Sequence, residues 1–246
     1  MAGLSGTPTI APVDLYTSSA QPDSAYELGQ LVLGKNGKAF RYCLFGELGV
    51  VGDVYQSSAV DTQFTEMAIP AAGAVAAGAT KLTITNGTTA VTAGQFKGGS
   101  VVIAVTPALG EEYTIVDHGT ATNGSAWTVY IDRPLRTALT TSSKATVSRS
   151  PYSGIVKCPT SLTGTVVGVG IYPVASGEYG WVQVLGVAGV LSDNSTGAVG
   201  SDVGVPGATA GSVGVNVAGT GKSNTVGRAM RALSSGKVIP VSLIIG

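Results

Sequence analysis

Two apolar, β-branched runs meet at a turn, and they commit this part of the chain to a sheet. Gly164–Val174 (GTVVGVGIYPV) reads as one strand, Gly177–Glu178 as a turn, and Tyr179–Val187 (YGWVQVLGV) as its partner. Side chains alternate across a strand, so Tyr179, Trp181 and Gln183 share one face and Val182 and Val184 the other. The hairpin carries one of only two tryptophans.

The rest of the chain agrees with that start. Glycine makes up 36 of 246 residues, about twice ordinary usage, and charged residues are 11% against roughly 25%. Apolar content is 44% and the formal net charge is zero, which opposes disorder. A weakly charged Gly/Ala/Thr/Val/Ser chain favours strands and tight turns. Few charges also keep such a chain soluble alone, so much of its surface is expected to meet other chains.

Charge is uneven along the length. Lys222, Arg228, Arg231 and Lys237 follow Asp202, and no acid does; the last 44 residues carry +4 and the first 202 carry −4. These cations are spread out and lack interleaved aromatics, so chance, or contact with an acidic patch on a neighbouring subunit, is favoured over phosphate binding. Cys43 and Cys158 form no CxxC pair and read as free, buried thiols. The first residues lack a basic region followed by an apolar one, so no signal peptide is expected. No apolar run reaches the roughly 18 residues of a membrane span.

In chain order, residues 1–25 hold Pro8, Pro12 and Pro22 among Ser and Thr and read as an extended arm. Residues 28–33 and 38–45 read as a hairpin about a Lys-Asn-Gly turn. A short helix or irregular segment is expected over 53–64, and a linker or extended stretch over 70–79. Residues 80–149 look like an inserted β unit of short strands at about 8–12-residue spacing, so a small barrel or sandwich. In that unit Lys81–Thr85, Asn86–Gly87 and 88–92 read as a hairpin. The base is then 26–79 plus 150–246. Within it, 192–211 reads as a long loop, 212–217 as a strand, 225–233 as a short helix capped by Ser223 or Asn224, and 237–245 as a final strand. The expected class is all-β: barrel or sandwich units, one short C-terminal helix, Gly-rich loops and the N-terminal arm.

Candidate chemistry is thin. Gly219-Thr-Gly-Lys-Ser223 supplies half of a phosphate loop, but the first glycine position is Asn216 and no acid follows to hold Mg²⁺. The lone His118 follows Asp117, without a nucleophile elbow or clustered metal ligands. Glu111 and Glu112 are adjacent on a strand and face opposite ways, so they cannot flank one glycosidic bond. Asp117 and Asp132 end apolar runs as strand punctuation. Asn86, Asn123 and Asn194 match glycosylation sequons and read as turns. Tyr179 with Trp181 could stack a sugar; an interface or a core is the favoured reading. No catalytic, cofactor-binding or metal residue is assigned.

The order of pieces resembles the virion structural proteins of tailed bacteriophages, and more narrowly their capsid decoration, or cement, proteins. The likeness rests on Tyr179-Gly-Trp-Val-Gln, a Gly-rich loop, Val226-Gly-Arg-Ala-Met-Arg-Ala-Leu and Ser-Gly-Lys-Val-Ile-Pro-Val-Ser-Leu-Ile at the end. It extends to Gly98-Gly-Ser-Val-Val-Ile, Glu112-Tyr-Thr-Ile, Asp132-Arg-Pro-Leu and Pro151-Tyr, and so covers residues 70–246. It implies a non-enzymatic homo-oligomer, commonly a trimer, assembled in the host cytoplasm and bound to the capsid exterior over the major capsid protein. Nucleic acid, membrane and cofactors have no part in it. The rival expectation is a tail-fibre or receptor- or carbohydrate-recognition module.

Overall fold

A computed structural model describes residues 15–23, 25–193, 197–216 and 224–245. The chain divides into two compact units: a base, residues 1–59 with 151–246, and an insert, residues 60–150. Both are β-structured, and helix is confined to single 3₁₀ turns among the described residues.

The base is built on a closed ring. β2 (Ala39–Phe45), β10 (Ser153–Lys157), β3 (Val54–Gln56), β11 (Val166–Gly170) and β12 (Tyr179–Leu191) pair in that order, and β12 pairs back onto β2. Full closure removes the open edges that would otherwise invite aggregation. β1 (Leu31–Leu33) continues the sheet from β2, and a second wing leaves β12 through β16 (Val238–Ile244), β15 (Asn224–Ala229), β13 (Asp202–Val205) and β14 (Gly214–Val215). Cys43, Phe45, Tyr55, Ile155, Val167, Val174 and Val182 form one buried cluster of the ring. The wing buries a cluster dominated by valine, including Val184, Val190, Val203, Val226, Val241 and Leu243.

The long strand β12 does two jobs in sequence. Tyr179–Leu185 pairs with β2, and Leu185–Leu191 pairs with β16. The register slips between Gln183 and Leu185, where the Gln183 amide donates to the carbonyls of Leu185 (2.9 Å) and Val187 (3.1 Å). The terminal strand β16 is paired on both sides, by β12 and β15.

The insert is a six-stranded sheet in the order β4 (Met67–Ala68), β9 (Lys144–Ser148), β6 (Ser100–Val105), β7 (Glu112–His118), β8 (Ala126–Ile131), β5 (Lys81–Thr85). Its core is one cluster with Phe64, Phe96, Tyr113 and Trp127 among Leu, Ile and Val. The alternation of buried and exposed positions along β7 and β8 is the period-2 signal of a half-buried strand.

Several sequence expectations are corrected. The C-terminal helix over 225–233 is instead the strand β15: Val226 and Ala229 are buried, Thr225 and Arg228 are exposed, and the backbone pairs with β13 and β16. At Gly227 a Cβ would collide with the Ser242 carbonyl oxygen, so close strand approach decides that position. Tertiary pairing overrides the helix preference of Arg-Ala-Met. The stretch 53–64, expected as a short helix or irregular segment, is the strand β3 followed by a 3₁₀ turn, Thr62–Phe64, capped by the Asp61 carboxylate on the Gln63 N–H. The loop over 192–211 contains β13. Lys81–Thr85 does not form a hairpin with 88–92; it pairs with β8. Asn86 turns inward there, donating to the carbonyls of Thr89 and Thr122 at 2.9 Å. The insert begins at Val60, so 60–79, expected in the base, belong to the insert.

Candidate interaction surface

The outer face of β12 carries Tyr179, Trp181, Gln183, Leu185 and Val187, and the structure treats its two halves differently. Over the first half, Leu15, Val32, Phe40, Tyr42 and Trp181 form a buried cluster, with Tyr26, Leu28, Ile171 and Tyr179 packed on it. Tyr26 meets the Trp181 ring edge-on at 5.0 Å, and Tyr42 stacks on Tyr179 at 5.8 Å. Such ring pairs contribute about 0.5–1.5 kcal/mol each beyond their burial. Part of the expected arm is therefore seated on the sheet. Ser19 N–H donates to the Tyr179 carbonyl (3.1 Å) and Tyr179 N–H to the Ser19 carbonyl (2.8 Å). The Asp23 N–H donates to the Tyr42 hydroxyl at 2.9 Å. Burial pushes the Tyr42 phenol up, partly offset by that N–H. Residues 1–14 of the arm lie outside the described residues.

The same elements enclose a cleft of about 220 Å³ lined by Thr17, Ser18, Ser19, Asp23, Tyr26, Tyr42, Tyr179 and Trp181. Trp181 is only 3% exposed, so its ring face is committed to the protein. It is a core residue of the outer wall and not an open sugar platform. The half-exposed phenols and the Asp23 carboxylate give the cleft a polar mouth.

The second half of the face is open. Leu185 and Val187 on β12 and Val238 and Ile244 on β16 are 43–57% exposed, and Pro240 is exposed between them. Leu185 is opposite Ile244, Gly189 opposite Pro240, and Leu191 opposite Val238. Contiguous apolar side chains of this kind mark contact sites. Arg228, opposite Ser242, borders the patch and pairs with Asp202 at 2.9 Å.

The other sequence candidates lie elsewhere and do not converge. His118 is buried in the insert: its Nε2 accepts the Phe96 N–H (2.8 Å), and its Nδ1 lies 2.8 Å from the Gly119 carbonyl and 3.2 Å from the Trp127 indole nitrogen. It serves as a core acceptor. Glu111 is buried and accepts from the Thr137 hydroxyl (2.6 Å) and from the Tyr113 hydroxyl, while Glu112 is exposed beside Arg133. The two do face opposite ways. Asp132 accepts from the Thr114 N–H and pairs with Arg133, and Asp117 caps the His118 N–H. Cys43 and Cys158 are free and buried; burial pushes the Cys158 thiol up to about 12 and Cys43 higher still. Of the sequons, Asn123 stands in a turn with Gly124 at φ 67°; Asn194 lies outside the described residues. So does Gly219–Ser223, but the helix a phosphate loop must open is replaced by β15. Among the described residues no three His, Cys, Asp or Glu side chains cluster as a metal site, and no helix is long and apolar enough to cross a membrane.

Comparison with known proteins finds no matching family model, no matching curated protein and no matching solved structure.

What sequence reasoning missed is the open patch. Leu185 and Val187 continue the odd-numbered row of Tyr179, Trp181 and Gln183, so their shared face was readable. Which half is covered depends on the path of the arm, for which the sequence holds no local signal.

Proposed function

We propose that the chain is a capsid decoration protein of the tailed-bacteriophage kind, which binds the outside of an assembled head over the major capsid protein and stabilises it. The observation that carries this reading is the half-open outer face of β12 and β16. The described part of the arm and the strand β16 come together on that one face. The low charge of the chain and its resemblance to virion proteins point the same way. A ligand that binds the assembled shell, and not its separated subunits, shifts the equilibrium toward the shell by mass action. Repetition over symmetric sites, or within a homotrimer, multiplies modest contacts into high avidity.

The test is cosedimentation of the purified protein with phage heads that lack a decoration protein, with imaging of the pellet. Saturable binding at regular lattice positions is the expected result. A protein that stays in the supernatant as a free oligomer sinks the reading.

The polar cleft beside Tyr179 keeps one rival in view, recognition of a receptor or glycan. Because Trp181 is a wall residue, the informative variant is Tyr179→Ala. Reproducible glycan binding that this change abolishes moves the assignment to recognition.

A further inference from the structure

The cleft beside Tyr179 has a charge and a size that select a ligand. Asp23 is the one charged residue in its lining, and no cation accompanies it there. The Asp23 Oδ1 accepts the Ala25 N–H at 2.8 Å. Among the described residues its carboxylate has no ion-pair partner. Its backbone N–H is spent on the Tyr42 hydroxyl. The cleft therefore holds one uncompensated negative charge.

The walls reinforce that sign. The rings of Tyr26, Tyr42 and Trp181 lie 5.0–5.7 Å from one another, and Tyr179 stacks on Tyr42. Aromatic rings attract cations through their quadrupoles, more so where water is partly excluded. Burial is the main cause of the raised Tyr42 value, and the nearby Asp23 charge adds to it. The rim adds the hydroxyl side chains of Thr17, Ser18 and Ser19, which are able to accept hydrogen bonds. The space is about 220 Å³, below the roughly 300–1,000 Å³ of drug-sized sites, so it suits the head of one side chain. An anion would meet a carboxylate there and no base. A sugar would find no open ring face on Trp181, which is buried.

We propose that this cleft recognises a primary ammonium group, carried by a free alkylamine or by a lysine side chain. An ammonium brings three donors and no acceptor, which matches a lining of carboxylate, phenols and hydroxyls without a basic residue. The site goes beyond shell binding and does not rest on it. It is tested on the free protein, so its failure leaves the shell reading standing, and failed shell binding leaves the site standing.

The experiment follows the Trp181 indole N–H resonance of the full chain during titration with n-butylamine, which is charged at neutral pH, and with n-butanol, its neutral counterpart. Trp127, buried in the insert, supplies the control resonance. A saturable shift of Trp181 with n-butylamine alone is expected, with Trp127 unmoved. Asp23→Asn keeps an oxygen for the Ala25 N–H, so the local turn is preserved. It is expected to weaken binding roughly three- to fivefold, the range that an exposed ion pair contributes. Glu27→Gln removes an exposed carboxylate outside the lining and is expected to leave binding unchanged. No saturable shift, an equal response to n-butanol, or an equal loss in the two variants overturns the site. N-acetyl-lysine methylamide then separates the sources. Binding tighter than that of n-butylamine assigns a lysine of a partner protein, and weaker binding assigns a free amine.

Discussion

In the insert, Trp127 sits 1% exposed at the centre of a single core, with Phe96 at 5.3 Å and His118 edge-on at 5.0 Å. In the base, Trp181 sits on an outer wall and is buried because the arm crosses it. The insert satisfies its burial with residues contiguous in sequence, 60–150. The base fills its interior with valine and with Phe45 and Tyr55, and places Tyr26, Tyr42, Tyr179 and Trp181 on an outer wall, where a segment from another part of the chain covers them. A unit whose outer wall is apolar and only partly covered is built to receive something. On the decoration reading proposed above, the base would be the contact unit.

The sharpest test of this contrast uses the two tryptophans, one in each unit, as separate reporters. Trp127→Ala is expected to cost the insert about 3–5 kcal/mol, as removal of a central aromatic does. The unfolding transition followed by the remaining Trp181 fluorescence should hardly move. If that transition falls by the same amount, the units unfold as one and the contrast fails. Trp181→Ala should cost less, because solvent can enter an outer wall, and should increase protease access to the arm. Deletion bears on the same point: one running through residue 25 removes Leu15 and the Ser19 bridge, so it is expected to destabilise the base.

Next in size is a matched pair of glycines. A Cβ at Gly227 would strike the Ser242 carbonyl oxygen, and one at Gly99 would strike that of Ser148. Gly227→Ala and Gly99→Ala are each expected to cost about 2–3 kcal/mol in their own unit. Chemical denaturation read through Trp181 and Trp127 respectively checks this. A Gly99→Ala effect that appears in the base would blur the boundary between units.

A pH titration should separate the units by a smaller margin. The Thr137 and Tyr113 hydroxyls hold the Glu111 carboxyl below its usual range. Its stabilising charged form is fully present above the ordinary value of about 4.3 and is lost as pH falls through the lowered folded value. The insert should therefore lose stability on acidification below about pH 4, and Glu111→Gln should flatten that slope. An unchanged slope in Glu111→Gln would assign it to other carboxylates. Smallest of all is Arg228→Ala. Its ion pair with Asp202 is 2.9 Å long but its side chain is 71% exposed, and such pairs contribute about 0–1 kcal/mol. A larger loss would mean the border of the open patch is more ordered than its exposure implies.

The insert was the more legible unit. Tyr113 and Ile115 alternate with Glu112 and Thr114, and Trp127, Val129 and Ile131 alternate with Thr128 and Tyr130, and that period survives in the structure. Its strand partners were not legible: Asn86–Gly87 looked like a hairpin turn, yet β5 pairs with a strand more than forty residues later. In the base, Tyr179–Val187 was clear because its row is long and aromatic. Thr225–Ala229 was not, since one valine among Gly, Arg and Ala fits a helix as well as a strand, and only pairing with β13 and β16 settles it. The chemistry of the outer face was present in the residue types; its division into a covered and an open half arises from the Ser19 bridge and the burial of Leu15, which no local pattern encodes.

The account turns on the base as the contact unit, and one binding series addresses that directly. Val187→Glu on the open face and Val116→Glu on the insert each place a charge at an exposed apolar site, so both proteins should fold. In cosedimentation with heads lacking a decoration protein, Val187→Glu is expected to stay in the supernatant while Val116→Glu pellets like the unaltered chain. Retained binding by Val187→Glu together with loss by Val116→Glu would contradict the account and assign the contact to the insert.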